Sequence, residues 1–247
     1  MLPLLLAIHA MSGPAPRPAA ASRYKIVSTT VTDIDATSLG QAAVTYTMTL
    51  SAYVSITVSD TSGGQLAQVV VDSSTYDAGD LTAMLPDAMR EDAKGSVFHI
   101  YVVNGTAASS LVPTPMNLQA MQLVSGIEML VKGMRQAKAG DSWVDTVRTD
   151  TTVAESAATG LRVYTWTAKP GAGNAMEFDA NWTGSTKVGA AAVQMDMQLA
   201  GTSQLTTVPG MLASSATTTG SGHANMSMAG NTLPIKFKTD VTVNAVP

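Results

Sequence analysis

Hydrophobic and polar residues alternate along most of the chain after residue 22. The clearest stretch places Val44, Tyr46, Met48 and Leu50 between threonines, and the same parity continues to Val58. Successive side chains of a β-strand point to opposite faces, so a period of two predicts a strand with one buried and one wet face. The stretch therefore forms one long bent strand or two shorter strands that meet near its middle.

Short polar turns separate further segments of the same kind. The Asn104-Gly105 pair is a strong hairpin signal, and Pro170 opens a glycine-rich turn between two alternating runs. Neighbouring strands joined by such short turns favour antiparallel pairing, because parallel pairing needs longer crossovers. Beyond the first stretch, the predicted strands cover residues 66–71, 97–103, 161–167, 175–182, 193–199 and 235–243.

One segment breaks the period of two. Between Met116 and Met134, apolar residues recur at alternating spacings of four and three, and the positions between these ends are Ala120, Leu123, Ile127 and Leu130. That spacing places them along one side of a helix, so we predict an amphipathic helix near residues 116–137. A second short helix over residues 81–92 is left open, because Pro86 interrupts the segment.

These elements predict a mainly β fold. We expect a curved antiparallel sheet or open half-barrel with one central amphipathic helix, and residues 22–247 as a single domain. A closed barrel and a sandwich remain alternatives, and the oligomeric state is left open.

The N-terminus is typical of a signal peptide. An apolar run over residues 2–10 is followed by a Pro/Ala-rich segment, and Ala19 and Ala21 suit cleavage before Ser22. No basic residue precedes the run, so either the true start lies upstream or the signal is weak. We expect residues 1–21 to be the signal and the protein to be periplasmic or extracellular.

Charge and cysteine content narrow the function classes. The formal net charge is −4 and the basic residues are scattered singly, so nucleic-acid binding has no electrostatic support. The chain contains no cysteine, which excludes disulfides, thiolate nucleophiles and cysteine-bound metal centres.

No catalytic or metal-binding motif is present. The histidines at positions 9, 99 and 223 fall in unrelated contexts, and no Gly-x-Ser-x-Gly elbow accompanies any serine. Aspartate pairs such as Asp33 and Asp35 lack the ligand spacing of a calcium loop. We therefore expect a protein that is not an enzyme and uses no cofactor.

Methionines in the predicted helices are the most suggestive candidate for ligand binding. Flexible thioether side chains adapt to irregular apolar partners, although they also fill gaps where a helix packs on a sheet. Trp143, just after the main helix, offers either a binding ring or a packing anchor. The candidate residues for a hydrophobic ligand are Met116, Leu123, Ile127, Leu130, Met134 and Trp143.

The order of these elements resembles a known class. A signal peptide, β-strands, a mid-sequence amphipathic helix and then Gly-Asp-Ser-Trp-Val-Asp-Thr at residues 140–146 look like the lipoprotein-carrier (Lol-type) half-barrel proteins. The resemblance implies an open sheet curled around a helical lid, with an apolar hollow that holds acyl chains. No individual functional residue carries over. A cysteine at the mature N-terminus, common in that class, is missing, so membrane anchoring is unsupported.

The leading interpretation is an exported protein that binds a lipid or acyl chain beneath the helix. A structural or adhesive module of the cell envelope is the alternative, and a hydrolase is a weaker one. An outer-membrane barrel would also show alternating strands, but it should carry aromatic girdles, and the chain has only 3 Trp, 6 Tyr and 3 Phe. We therefore expect no integral membrane span.

Overall fold

The structure is a computed structural model that describes residues 22–79, 90–108, 111–153, 156–190, 193–209, 212–228 and 231–247. The predicted signal peptide at residues 1–21 and most of the helix considered at 81–92 lie outside the described residues.

Eleven strands account for most of the described residues. Their bounds are β1 Ser22–Ile34, β2 Val44–Thr61, β3 Gly64–Asp77, β4 Val97–Val103, β5 Thr106–Ala107, β6 Ser142–Val153, β7 Ser156–Pro170, β8 Met176–Ala190, β9 Val193–Thr207, β10 Ser215–Met228 and β11 Asn231–Val246. A 3₁₀ turn covers Thr37–Leu39, and two helices, α1 at Leu118–Met121 and α2 at Val124–Lys132, lie between β5 and β6.

All eleven strands belong to one antiparallel sheet in the order β5-β4-β3-β2-β1-β11-β10-β9-β8-β7-β6. Strands that follow one another in the chain are paired, except β5 and β6, and β1 also pairs with β11, with Arg23 opposite Val246. The first and last strands therefore meet in the middle of the sheet. The strands at its two edges, β5 and β6, flank the helices in the sequence.

The sheet curls around α2. This helix contacts β1, β10 and β11 in the middle of the sheet and also β5 at one edge. Its Lys132 reaches β6 at the other edge, where Nζ lies 2.9 Å from Asp145 Oδ2. The two edges touch as well, since Thr106 Oγ1 donates to Asp145 Oδ1 over 3.0 Å. The sheet is thus nearly closed into a barrel with α2 inside.

The inner face of the barrel is apolar and tightly packed around α2. Tyr24, Ile26, Leu50 and Phe98 on the wall and Ile127 on the helix are fully buried in one core. The backbone of α2 approaches β1 closely, because a Cβ on Gly126 would lie 2.6 Å from the Ile26 Cγ2 atom.

A row of polar residues crosses the outer face. Thr29 pairs with Thr49 on β2 and with Asp240 on β11, and the hydroxyls of the two threonines lie 3.3 Å apart. Further along the same row, Thr219 Oγ1 donates to Asp240 Oδ1 over 2.8 Å and pairs with Thr202. Alternation in the sequence thus sorts apolar residues inward and hydroxyl or charged residues outward.

Glycines on the inner wall make room for aromatic rings. A Cβ on Gly220 would lie 2.6 Å from the Trp182 ring, so the indole lies flat against the strand backbone. A ring covering a strand glycine restores the buried area that the glycine lacks and permits strong local curvature. This arrangement explains how a strand as rich in serine, threonine and glycine as β10 is part of the barrel wall.

The prediction of a mainly β, antiparallel fold is confirmed, but three details differ. The sheet is more nearly closed than an open half-barrel, and the helical segment lies inside it rather than over it as a lid. The helix predicted over residues 116–137 is two shorter helices. The first is capped by Asn117, whose Oδ1 accepts from Ala120 N, and Gly133 ends the second, where a Cβ would collide with the Leu212 carbonyl.

Candidate ligand site

A buried charged cluster joins α2 to strand β7. Glu128 is 1% exposed, and its Oε2 atom accepts from Arg162 Nη1 and from the Tyr164 hydroxyl, both at 3.1 Å. Arg162 Nη1 also donates to the Tyr164 oxygen over 3.1 Å. The guanidinium lies above the Trp182 ring, with its carbon 5.1 Å from the ring centroid. These contacts fix the rotamers of all three residues.

The environment determines the protonation of two members of this cluster. Burial raises the pKa of the Tyr164 hydroxyl above its ordinary value, and the nearby Glu128 carboxylate adds to the shift. Burial alone would lower the pKa of Arg162, but Tyr164 and Glu128 outweigh it and raise that pKa. Tyr164 therefore stays protonated and Arg162 stays charged.

A second buried ion pair lies one helical turn further along α2. Lys132 and Asp145 are 2% and 5% exposed, and Asp145 also accepts from Trp143 Nε1 over 3.0 Å. Arg135 approaches the same carboxylate at 3.8 Å and stacks on the Trp143 ring. Each oxygen of Asp145 thus has a donor, so this pair is suited to holding the helix in the barrel.

A cavity of about 70 Å³ lies between the charged cluster and the barrel wall. Glu128, Arg148 and Arg162 contribute the charged groups of its lining, and the exposed Arg148 and Leu161 bring it to the protein surface. The rest of the lining is mostly apolar and consists of Ala107, Leu111, Val112, Met121, Val124, Val147, Gly160, Gly184, Thr186 and Leu199.

Beyond Leu199, which lines this cavity, three strands continue the inner face of the barrel. Met197 on β9 pairs with Ala224, which pairs with the buried Ile235, so all three share the inner face. One step further along, Met195 pairs with Met226 on the same face. These methionines are only half-buried. We call the inner face formed by Met195, Met197, Leu199 and Met226 the open end.

The structure places the predicted ligand-binding residues in several different environments. Leu123, Ile127 and Leu130 are fully buried in the core around α2. Met134 and Trp143 are partly buried and pack against that core, whereas Met116 precedes α1 and is 40% exposed. The cavity is lined instead by Met121, Val124 and Glu128 from the helical segment.

Sequence reasoning missed the charged residues of the site. Glu128 and Lys132 are four residues apart in an otherwise apolar helix, and both are buried. Two opposite charges four residues apart in an apolar helix could have revealed this cluster. Charged residues are almost never fully buried unless they are paired, so their presence there indicates partners elsewhere in the fold. Their partners Asp145 and Arg162 belong to strands whose contact with the helix is set only by the tertiary fold.

The chain was compared with known proteins by sequence and by structure. No protein-family model matches it, and no curated protein matches its sequence. Among solved structures, it is similar to Pseudomonas aeruginosa OpdK with vanillate, at 6% identity and a TM-score of 0.29, over 92% of this chain and 99% of that one. A BenF-like porin from Pseudomonas fluorescens aligns with the same values. P. aeruginosa OccK2 (OpdF) in complex with glucuronate has a TM-score of 0.27 at the same identity and coverage.

Two expectations are corrected by these findings. The resemblance to lipoprotein carriers is wrong, because the neighbours are porins and the sheet is nearly closed around an internal helix. The expectation of no integral membrane span is contradicted by the same neighbours, since porins cross the outer membrane with their strands.

The TM-scores of 0.27 to 0.29 lie below 0.5 and carry no argument about function. Within the described residues, no helix is long and apolar enough to cross a membrane.

Proposed function

We propose that this chain is a non-enzymatic protein of the cell envelope that binds a small apolar ligand at the open end of its barrel. The observation that supports this proposal is the half-buried state of inward-facing Met195, Met197 and Met226. Elsewhere on the inner face, wall residues such as Ile26 and Leu50 are fully covered by the helix and its neighbours. A β-barrel of eight or more strands has room for one small ligand where side chains do not fill its interior.

The chemistry of the open end suits an apolar molecule. Methionine side chains are flexible and polarisable, so they adapt to ligands of irregular shape. The adjoining cavity of about 70 Å³ is well below the roughly 300 Å³ of a typical ligand pocket, so it accepts only one end of a ligand. The remainder of the ligand would lie along the methionines of the open end.

Placement of the protein in the envelope rests on the predicted signal at residues 1–21. Secretion of the natural chain and retention of a chain that lacks these residues would support this placement. If the natural chain and the chain that lacks these residues were secreted to the same extent, this placement would be contradicted.

The binding proposal can be tested with two adjacent substitutions on β9. Met197 faces inward, whereas its neighbour Gln198 is exposed on the outer face. Met197→Arg places a charge in the open end and should weaken binding of a fluorescent apolar dye, N-phenyl-1-naphthylamine, by at least about tenfold. Gln198→Arg adds the same charge outside and should leave the dissociation constant unchanged.

Circular dichroism would show that both variants retain the fold. Equal binding by the two variants, or no dye binding by the natural protein, would contradict the proposal.

A further inference from the structure

Strand β6 is an edge of the sheet that the rest of the barrel covers only in part. β7 is the one described strand that pairs with it, and β5, on its other side, consists of Thr106–Ala107 alone. The contact with β5 lies at Asp145, through the Thr106 hydroxyl. From residue 146 to Val153, the free side of β6 therefore has no strand beside it within the described part of the chain.

This free segment lacks most of the features that protect a sheet edge. Exposed edges are usually very short, bulged, or interrupted by proline or lysine. Residues 146–153 contain neither proline nor lysine, and their register with β7 is continuous. Six of these eight residues are threonine or valine, which favour extended backbone. The segment is therefore suited to pairing with a further strand.

The two charged side chains of this segment are not used within the chain. Arg148 and Asp150 are two residues apart, so they lie on the same face of β6, and both are exposed. Within the described residues, neither forms an ion pair or a side-chain hydrogen bond. Lys238 and Asp240 have the same spacing on β11, but there Nζ lies 3.0 Å from Oδ2. The charges of β6 are thus available to another chain.

One antiparallel register of β6 against a second copy pairs these charges. With Thr149 opposite its own equivalent, Arg148 of each chain lies opposite Asp150 of the other, which gives two ion pairs related by a two-fold axis. A pairing centred on Arg148 or Asp150 would instead place like charges opposite each other, which is destabilising. The favourable register spans residues 146–152, which is the part of β6 that β5 leaves free.

Apolar side chains lie beside these charges. Leu161 on β7 is paired with Arg148 and is 37% exposed, and Val144 on β6 is 64% exposed. A second barrel placed along β6 would remove part of this apolar area from water.

We propose that two copies of this chain form an antiparallel two-fold dimer through residues 146–152 of β6. Backbone hydrogen bonds and two ion pairs between Arg148 and Asp150 hold the copies together. The two sheets join edge to edge, in the way that an extended strand adds to an exposed sheet edge. This inference goes beyond the proposed function and does not depend on ligand binding.

Charge reversal on β6 tests the pairing, and sedimentation velocity over a range of protein concentrations gives the dissociation constant of the dimer. Arg148→Asp and Asp150→Arg each place like charges opposite each other twice. Each variant alone should therefore dimerise at least about tenfold more weakly than the natural protein. An equimolar mixture of the two variants regains both opposite-charge pairs and should form a heterodimer about as tightly as the natural chain.

Lys238→Asp and Asp240→Arg are the matched controls. They make the same charge changes on β11, which is paired on both sides, and should leave the dissociation constant unchanged. Circular dichroism would show that all four variants retain the fold. A monomeric natural protein, a dimer that neither β6 variant weakens, or a mixture of the folded β6 variants that stays monomeric would overturn the inference.

Discussion

At the scale of single residues, Tyr164 connects the charged cluster to the aromatic lining of the barrel. Its hydroxyl binds Glu128 and Arg162, and its ring lies 5.7 Å from that of Trp166 and 6.1 Å from that of Trp182. The ring is 1% exposed. One side chain therefore contributes both aromatic packing and a hydrogen bond to a buried carboxylate.

Burial of Tyr164 makes the stability of the fold sensitive to alkaline pH. Since its pKa is raised in the folded protein, the unfolded chain loses this proton first as the pH rises above about 10. The free energy of unfolding should then fall by about 1.4 kcal/mol for each pH unit from this group. Urea unfolding between pH 9 and 11.5 measures the slope, which Tyr164→Phe should make shallower.

Tyr53→Phe is the matched control, because Tyr53 lies on the outer face beneath Arg23. It should retain the slope of the natural protein. The same slope for Tyr164→Phe would show that Tyr164 does not govern the alkaline loss of stability.

Little of the candidate site could be predicted from the sequence at this scale. The methionines of β9 follow the alternation that predicts a strand, so the sequence identifies Met195 and Met197 as members of one face. It does not show that both side chains are only half-buried in the folded barrel. Glu128 and Arg162 come together only because β7 lies against the helix in the folded sheet.

At the scale of elements, α2 is held inside the barrel by two buried ion pairs on consecutive turns. Glu128 binds β7 and Lys132 binds β6, so the helix is attached to both of the last two strands on that side of the sheet. Buried ion pairs do not guarantee a net gain in stability. They do fix the position of the elements that carry them, because any other placement would leave a buried charge without its partner. These pairs therefore specify the position of α2 along the barrel wall.

A double-mutant cycle on Lys132 and Asp145 tests this attachment. Lys132→Met or Asp145→Leu alone removes one partner of the buried pair and should cost about 3–5 kcal/mol of unfolding free energy. The double variant should cost clearly less than the sum of the single ones. Denaturant unfolding monitored by tryptophan fluorescence gives all three values.

Lys187 and Asp196 provide the control cycle. They are paired across β8 and β9 at 3.5 Å, but their side chains are 76% and 65% exposed. Their coupling should stay below about 1 kcal/mol. A coupling for Lys132 and Asp145 as small as this would contradict the assigned role.

The predicted ranges correspond to seven of the eleven strands, which are β2, β3, β4, β7, β8, β9 and β11. Alternation identified β2, β9 and β11, because apolar residues recur at every second position over much of their length, whereas β4 was predicted as an apolar run that ends at Asn104-Gly105. β10 carries Gly220 and Gly222 on its inner face, so its side chains give no hydrophobic period. The break between α1 and α2 was also missed, since helical spacing continues through Gln122.

At the scale of the whole molecule, the two ends of the described chain lie side by side. Arg23 on β1 is opposite Val246 on β11, whereas the edges β5 and β6 meet through side chains. The sequence predicted the antiparallel strands but not the order of the sheet. Pairing between β1 and β11 joins residues too far apart for any local pattern to reveal.

A circular permutant should therefore fold. Joining residue 247 to residue 22 through a short Gly/Ser linker and opening the chain between Pro115 and Met116, both exposed, preserves every strand pair. We expect its unfolding free energy to lie within about 2 kcal/mol of the natural value. Opening the chain between Thr217 and Thr218 instead divides β10 and should prevent cooperative unfolding.

Circular dichroism during urea titration distinguishes these results. A cooperative transition for the chain divided in β10, or none for the chain opened near Pro115, would contradict the sheet order described above.

The pairing of β1 with β11 also determines when the protein can finish folding. β1 is synthesised first among the described strands, yet its partner β11 leaves the ribosome last. Until then the sheet exists only as separate meanders with open edges, and one long-range contact of high entropic cost remains to be made. A nascent chain of this topology therefore stays incompletely folded throughout its synthesis, which is the state that a secretion channel accepts.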